Sequence, residues 1–113
     1  MQKIEAIIRP DKLQLVKTAL EELSHAGMTL TEVRGHGVQR GITEQWRGRS
    51  FAVEYLTKIK VEMVVDDGEV DAIIQRIVEA ARTGEVGDGK IFVTPVSRAV
   101  RIRTGESGEQ ALR

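Results

Sequence analysis

From Lys3 to Arg9 the chain alternates, with Ile4, Ala6 and Ile8 on one face, Ile7 adding apolar character to the other, and Pro10 closing the run. A period of two predicts a strand. From Asp11 the period changes: Leu13, Val16, Leu20 and Leu23, with Ala19 beside them, recur at three and four. That spacing predicts a helix with one apolar stripe, ended at Gly27 by a left-handed residue. Met28 to Arg34, rich in Thr and Val, reads as a second strand. Phe51 to Val65 reads as a third, with Ile59, Val61, Met63 and Val65 on one face and Lys58, Lys60, Glu62 and Val64 on the other. Val70, Ile73, Ile74, Ile77, Val78 and Ala81 form the strongest helical stripe, stopped by Gly84, and Ile91 to Val96 gives a fourth strand. Val100 to Arg103 reads as a short extended piece, and the polar tail from Thr104 to Arg113 as loosely held.

Between the second and third strands, Gly35, Gly37, Gly41 and Gly48 punctuate a polar stretch to Ser50 with no sustained period. Loops of that length in a compact domain are uncommon and are usually functional or disordered. The order strand, helix, strand, strand, helix, strand predicts an α+β chain, a ferredoxin-like βαββαβ sandwich filling 1–113 as one domain. Such a plan does not fix the chemistry.

Composition narrows the field. At 113 residues the chain is the size of one domain, and a domain this short buries only about two thirds of its unfolded surface, so self-association is expected. Lys plus Arg and Asp plus Glu number 17 each, which removes the global positive field of a general nucleic-acid or anionic-membrane binder. With no cysteine, disulfides, thiolate metal sites and cysteine nucleophiles are excluded. Met1 to Arg9 lacks the apolar core of a signal peptide, and no apolar run is long enough to span a bilayer, so cytoplasmic residence is the expectation.

Gly84-Glu85-Val86-Gly87-Asp88-Gly89-Lys90 is a glycine-rich turn ending in a lysine. Such a turn can bring backbone N–H groups to phosphate oxygens with a cation behind them, and it can equally be a tight helix-to-strand connection. It is not a Walker loop: Ile91 stands where a hydroxyl should meet magnesium, and a strand follows instead of a helix. Arg101 and Arg103, two apart in the extended reading, leave one face, which suits either a polyphosphate or a solvated edge that discourages sheet pairing. Lys58, Lys60 and Glu62 share a strand face where a lysine could meet a bound carboxylate, or could simply be solvated. Gly35, Gly37 and Gly41 around Gln39 allow close backbone approach by a ligand or a flexible connection. His25 and His36, the only histidines, lack a carboxylate pattern of metal-ligand spacing. Trp46, in the polar loop, suits a partner contact or a clamp within the loop. No nucleophile–base pair can be assembled, so catalysis is not indicated.

Taken together the residues resemble the P-II signal-transduction family. Lys3 to Pro10 (KIEAIIRP), Gly27 to Gly35 (GMTLTEVRG), Ala81 to Val93 (ARTGEVGDGKIFV) and Arg101 to Glu106 (RIRTGE) carry the likeness over nearly the whole chain. The resemblance implies a homotrimer with nucleotide sites in the clefts between neighbours. It also implies a T-loop at about 37–55, a B-loop at about 82–90 and a C-loop at about 103–109. Carried over by position, Thr29, Gly35, Gly37, Val38, Gln39, Glu62 and Val64 would surround adenine, ribose and nearby backbone. Gly87, Asp88, Gly89, Lys90, Arg101 and Arg103 would hold phosphates and ribose of ATP or ADP. Gln39, Arg40, Gly41, Lys58 and Gly87 would bind 2-oxoglutarate, with Gln39 also a ligand of Mg2+ and Lys58 pairing with the far carboxylate. Implied partners are an ammonium transporter, nitrogen-metabolism enzymes or regulators, with no direct nucleic acid and membrane contact only through a transporter.

The departures from the family pattern lie mainly in the loop. Phe51 stands where many members carry a modified tyrosine, Arg49 where cyanobacterial relatives carry a phosphorylated serine, with Ser50 adjacent, and Val38 where an arginine commonly touches phosphate. Arg40 replaces a lysine, His36 a phenylalanine and Trp46 a tyrosine, substitutions expected to alter partner choice. The competing readings are a related sensor of another metabolite such as bicarbonate, a trimeric metal-binding protein of the same plan, and a slow ATPase.

Overall fold

The two periodicities are realised as two layers. The computed structural model describes residues 1–23, 27–38, 45–46, 49–50 and 53–113. Strands β1 (Gln2–Ile8), β2 (Thr29–Val38), β5 (Val53–Val65) and β6 (Lys90–Pro95) form one antiparallel sheet in the order β2-β5-β1-β6. A separate two-stranded ribbon pairs β3 (Gln45–Trp46) with β4 (Arg49–Ser50). Helices α1 (Leu13–Glu22) and α2 (Val70–Ala81) pack against each other. The sandwich is the α+β ferredoxin-like plan that the order of elements predicts.

Alternation decides which side of the sheet is dry. Register pairs Ile4 with Met63 and Ala6 with Val61, so these residues share one face, and all four are buried in a core with Val16, Leu20, Ile73 and Ile77 from the helices. The other face carries Lys3, Glu5 and Ile7 of β1, Lys60, Glu62 and Val64 of β5, and Phe92 of β6. On that face Lys3 pairs with Glu5 at 2.7 Å and Lys60 with Glu62 at 3.0 Å. Phe92 remains 52% exposed, an apolar ring on a face that no helix among the described residues covers.

Several boundaries differ from the sequence reading. β2 runs on to Val38, paired with Val53; β5 is described from Val53, and its expected start at Phe51 lies outside the described residues. The glycines at 35 and 37 are therefore in the ladder, because a backbone pairing with β5 is available to them whatever their side chains lack. Pro10–Lys12 makes a 3-10 turn, and α1 starts only at Leu13 and stops at Glu22, well before Gly27. α2 closes at Ala81 with Arg82 extended (φ −73°, ψ 131°), so Gly84, although left-handed at φ 88°, shapes the following loop and is not the helix stop. β6 ends on Pro95, tolerated because β6 is an edge strand.

The last segment departs most. Val100 to Arg103 is not extended: Val100 bridges Ser107, and the Gly105 N–H bonds to the Arg101 carbonyl at 2.8 Å, closing a turn. Gly105 at φ 74° permits the reversal, which the alternation could not reveal. Arg101 and Arg103 consequently do not project together from one strand face. Nor is the tail loose, since Gly108–Leu112 forms a 3-10 turn held by Arg101.

Candidate functional site

The loop joining α2 to β6 is built around one carboxylate. Asp88 accepts from the Thr83 and Gly84 backbone N–H groups, each at 2.9 Å, from the Thr83 hydroxyl at 2.5 Å, and from Arg9 Nε at 3.1 Å. The Thr83 hydroxyl first, then the two N–H groups and Arg9, hold its carboxyl far below the ordinary carboxylate range. The Asp88 oxygens are thus committed to shaping the loop and tying it to Arg9. Gly87 and Gly89 both sit at φ 102°. A Cβ on Gly89 would lie 1.7 Å from the Ile7 carbonyl oxygen, so the loop presses against β1 and only glycine fits.

Two cations converge on this loop from the sheet. Lys58 is buried at 8% exposure, and its Nζ donates to the Gly87 carbonyl at 2.5 Å. Arg9 Nη2 donates to the Val86 carbonyl at 2.9 Å. A Cβ on Gly87 would stand 3.3 Å from Arg9 Nη2 and 3.6 Å from Lys58 Nζ, so both heads reach the same point of the backbone. Burial first, then repulsion from Arg9, lowers the Lys58 pKa below 10.5. Asp88 and Asp11 offset only part of this, so a further carboxylate or phosphate beside the ammonium would relieve both the desolvation and the repulsion.

The remaining candidates fall into three groups. Lys90, exposed at the start of β6, pairs with Ile7 across the ladder and continues the loop. Thr29 lies opposite Glu62, Gly35 opposite Leu56, and Gly37 opposite Glu54 along the β2–β5 ladder, with Val64 on the same face as Glu62; Val38 closes the ladder. Arg101 is turned into its own tail and none of its partners lies in the 84–90 loop, while Arg103 is exposed in the turn. Gln39, Arg40, Gly41, His25 and Phe51 lie outside the described residues. Arg9 was not among the candidates; its only signal was a cation at the end of an apolar strand, directly before Pro10. Beside the loop, a cavity of about 260 Å³ lies between α2 and the edge of the sheet, lined by Ile74, Ile77, Val78 and Ala81 and rimmed by Arg82 and Lys90.

The sequence and the sandwich both match a known family. The family model for nitrogen regulatory protein P-II matches residues 1–106. A nitrogen regulatory protein P-II of Nostoc punctiforme is 56% identical over 112 residues, covering 99% of this chain and 100% of the relative. A nitrogen regulatory protein P-II 2 of Methanothermobacter thermautotrophicus is 55% identical, covering 99% of this chain and 97% of the relative. Among solved structures, the crystal structure of Arabidopsis thaliana PII bound to citrate superposes with a TM-score of 0.81 at 42% identity, over 99% of this chain and 89% of that one. The chain belongs to the P-II nitrogen regulatory protein family, whose matched members are named as regulatory proteins.

Proposed function

We propose that the chain is a sensor of ATP, ADP and 2-oxoglutarate that forms a homotrimer, fills 1–113 as a single domain, and reports to nitrogen-metabolism partners through the segment at about 37–55. The observation that carries this reading is the buried Lys58 held against Gly87 at the root of the 84–90 loop, with Arg9 beside it. A lysine in that state accepts a carboxylate readily. The citrate in the Arabidopsis thaliana PII structure is, like 2-oxoglutarate, a small polycarboxylate.

In this reading the 84–90 loop lies against the phosphates, with Gly87, Gly89 and Lys90 as donors and Asp88 as the organiser. Thr29, Gly35, Gly37, Val38, Glu62 and Val64 surround base and ribose. Arg101 and Arg103 come from a neighbouring subunit, which accounts for the absence of partners between them and the loop in one chain. Gln39 coordinates Mg2+ and, with Arg40 and Gly41, meets 2-oxoglutarate, whose far carboxylate pairs with Lys58. Occupancy at Gln39 then selects one conformer of the loop, and partners read the choice. Phe51 has no hydroxyl, so tyrosine uridylylation at that position is unavailable to this chain.

Two observations support self-association: the sheet face bearing Ile7, Val64 and Phe92, which no described helix covers, and Ile102, which is 100% exposed. Isothermal titration of 2-oxoglutarate into the protein with MgATP, with MgADP and without nucleotide tests the proposal. Binding with MgATP alone supports it. Nucleotide binding without any 2-oxoglutarate response moves the chain to the reading in which another metabolite, such as bicarbonate, is sensed.

A further inference from the structure

Arg101 is already engaged, and the group that engages it is the chain's own tail. The turn after Val100 returns through Gly105, and the Arg101 N–H donates to the Glu106 carbonyl at 2.8 Å. Gly108, at φ 82°, donates to the Ala99 carbonyl at 3.0 Å and aims the following 3-10 turn back along the same segment. The result is a clamp on one guanidinium. Nη1 meets the Glu106 carboxylate at 3.4 Å, and Nη2 donates to the backbone oxygens of Gln110, at 2.8 Å, and Arg113. The Arg101 side chain is left 23% exposed.

We propose that this clamp is a specificity element for the nucleotide site: the tail yields Arg101 only to a ligand that brings other anchored charges with it, a nucleoside polyphosphate, and withholds it from monophosphates. The inference rests on the nucleotide reading given above. A phosphate arriving at Arg101 must displace the Glu106 carboxylate and the backbone oxygens of Gln110 and Arg113, and it meets the negative Glu106 as it does so. Charge-assisted bonds to phosphate are stronger than those to carbonyls, but a single phosphate must overcome the Glu106 charge with no other phosphate anchored beside it. A polyphosphate is held in addition at Gly87, Gly89 and Lys90, where the tail does not compete, so the same loss is set against more contacts. Reciprocity follows. If phosphate and tail exclude each other at Arg101, bound polyphosphate must loosen the tail by the same coupling.

Glu106→Gln removes the ionic acceptor. Gly108→Val strains a left-handed residue where a Cβ would meet nothing within 4 Å, which displaces the tail without a clash in the fold. In both full-length variants AMP should bind about 5- to 10-fold more tightly, as expected for one charged acceptor removed, while ATP improves less, so the ATP-to-AMP preference narrows. In the unaltered protein, ATP should speed hydrogen exchange at the Gly108 and Arg113 amides several-fold, because their acceptors, Ala99 and Gln110, belong to the clamp. An unchanged ATP-to-AMP ratio in both variants, or tail amides that stay as protected with ATP bound as without it, overturns the proposal while leaving the nucleotide reading intact. Failure of the unaltered protein to bind ATP or ADP overturns both.

Discussion

Replacing Gly89 with alanine tests the contact on which the loop's position depends. The added Cβ would lie 1.7 Å from the Ile7 carbonyl oxygen and 2.8 Å from its carbon, at a residue with φ 102°. Neither neighbouring atom belongs to a flexible side chain, so the backbone must move. A left-handed alanine costs about 1–2 kcal/mol, and opening the end of the β1–β6 ladder at Ile7 and Lys90 forfeits one or two backbone hydrogen bonds at about 1 kcal/mol each. The sum is about 3 kcal/mol, which for a domain near 100 residues lowers Tm by at least about 10 °C. Gly84→Ala is the control, since Gly84 has φ 88° but a Cβ there would meet nothing within 4 Å. It carries only the conformational cost, about half as large. Thermal unfolding followed by circular dichroism compares the two directly. Midpoints within about 2 °C of each other would refute the close approach of the loop to β1 and the loop shape built on it.

Three other outcomes are expected. Asp88 is held below its ordinary value of 3.8 in the fold, so its contribution to stability is present above that pH and is lost as pH falls below it; Asp88→Asn should flatten the acid limb of a pH-dependent unfolding series and raise hydrogen exchange at the Thr83 and Gly84 amides. Lys58 has its pKa lowered, so the unfolded chain holds the extra proton between that lowered value and 10.5, and stability should rise with pH across that window; Lys58→Met should abolish the rise and weaken 2-oxoglutarate binding by about 10- to 100-fold with nucleotide binding kept, as calorimetry would show. Phe92→Glu places a charge opposite Glu5 on the sheet face that no described helix covers, and light scattering should then report a smaller assembly than the unaltered protein gives.

How far the sequence disclosed the fold depended on whether a periodicity or a single backbone angle was the determinant. Ile4, Ala6 and Ile8 against Val61, Met63 and Val65 could be read directly, because the pleat alternates whatever the partner strand. The α2 stripe was legible for the same reason at a period near 3.6. The extension of β2 through Gly35 and Gly37 was not, because a ladder needs only backbone groups, and glycine supplies those without a side-chain signal. The turn at 101–106 was hidden by Arg101-Ile102-Arg103, which alternates like a strand while Gly105 reverses the chain. At the site, the glycine loop and Lys58 were visible as residue types, yet the Arg9 contacts join residues 77 and 79 positions apart. Sequence spacing carries no record of such a meeting. The second use of Asp88, as the post around which the loop folds, depends on four donors that only the folded chain assembles.

In the proposed function, Lys58 receives an anionic ligand at the root of the 84–90 loop. Nuclear magnetic resonance of the protein with 13C-labelled lysine gives the Lys58 pKa directly from the pH dependence of its Cε shift. The free protein should show a value below the ordinary 10.5, and addition of MgATP with 2-oxoglutarate should raise it, because the carboxylate replaces the Gly87 carbonyl and stabilises the charged form. A Lys58 value that stays where it was with both ligands bound would contradict the account.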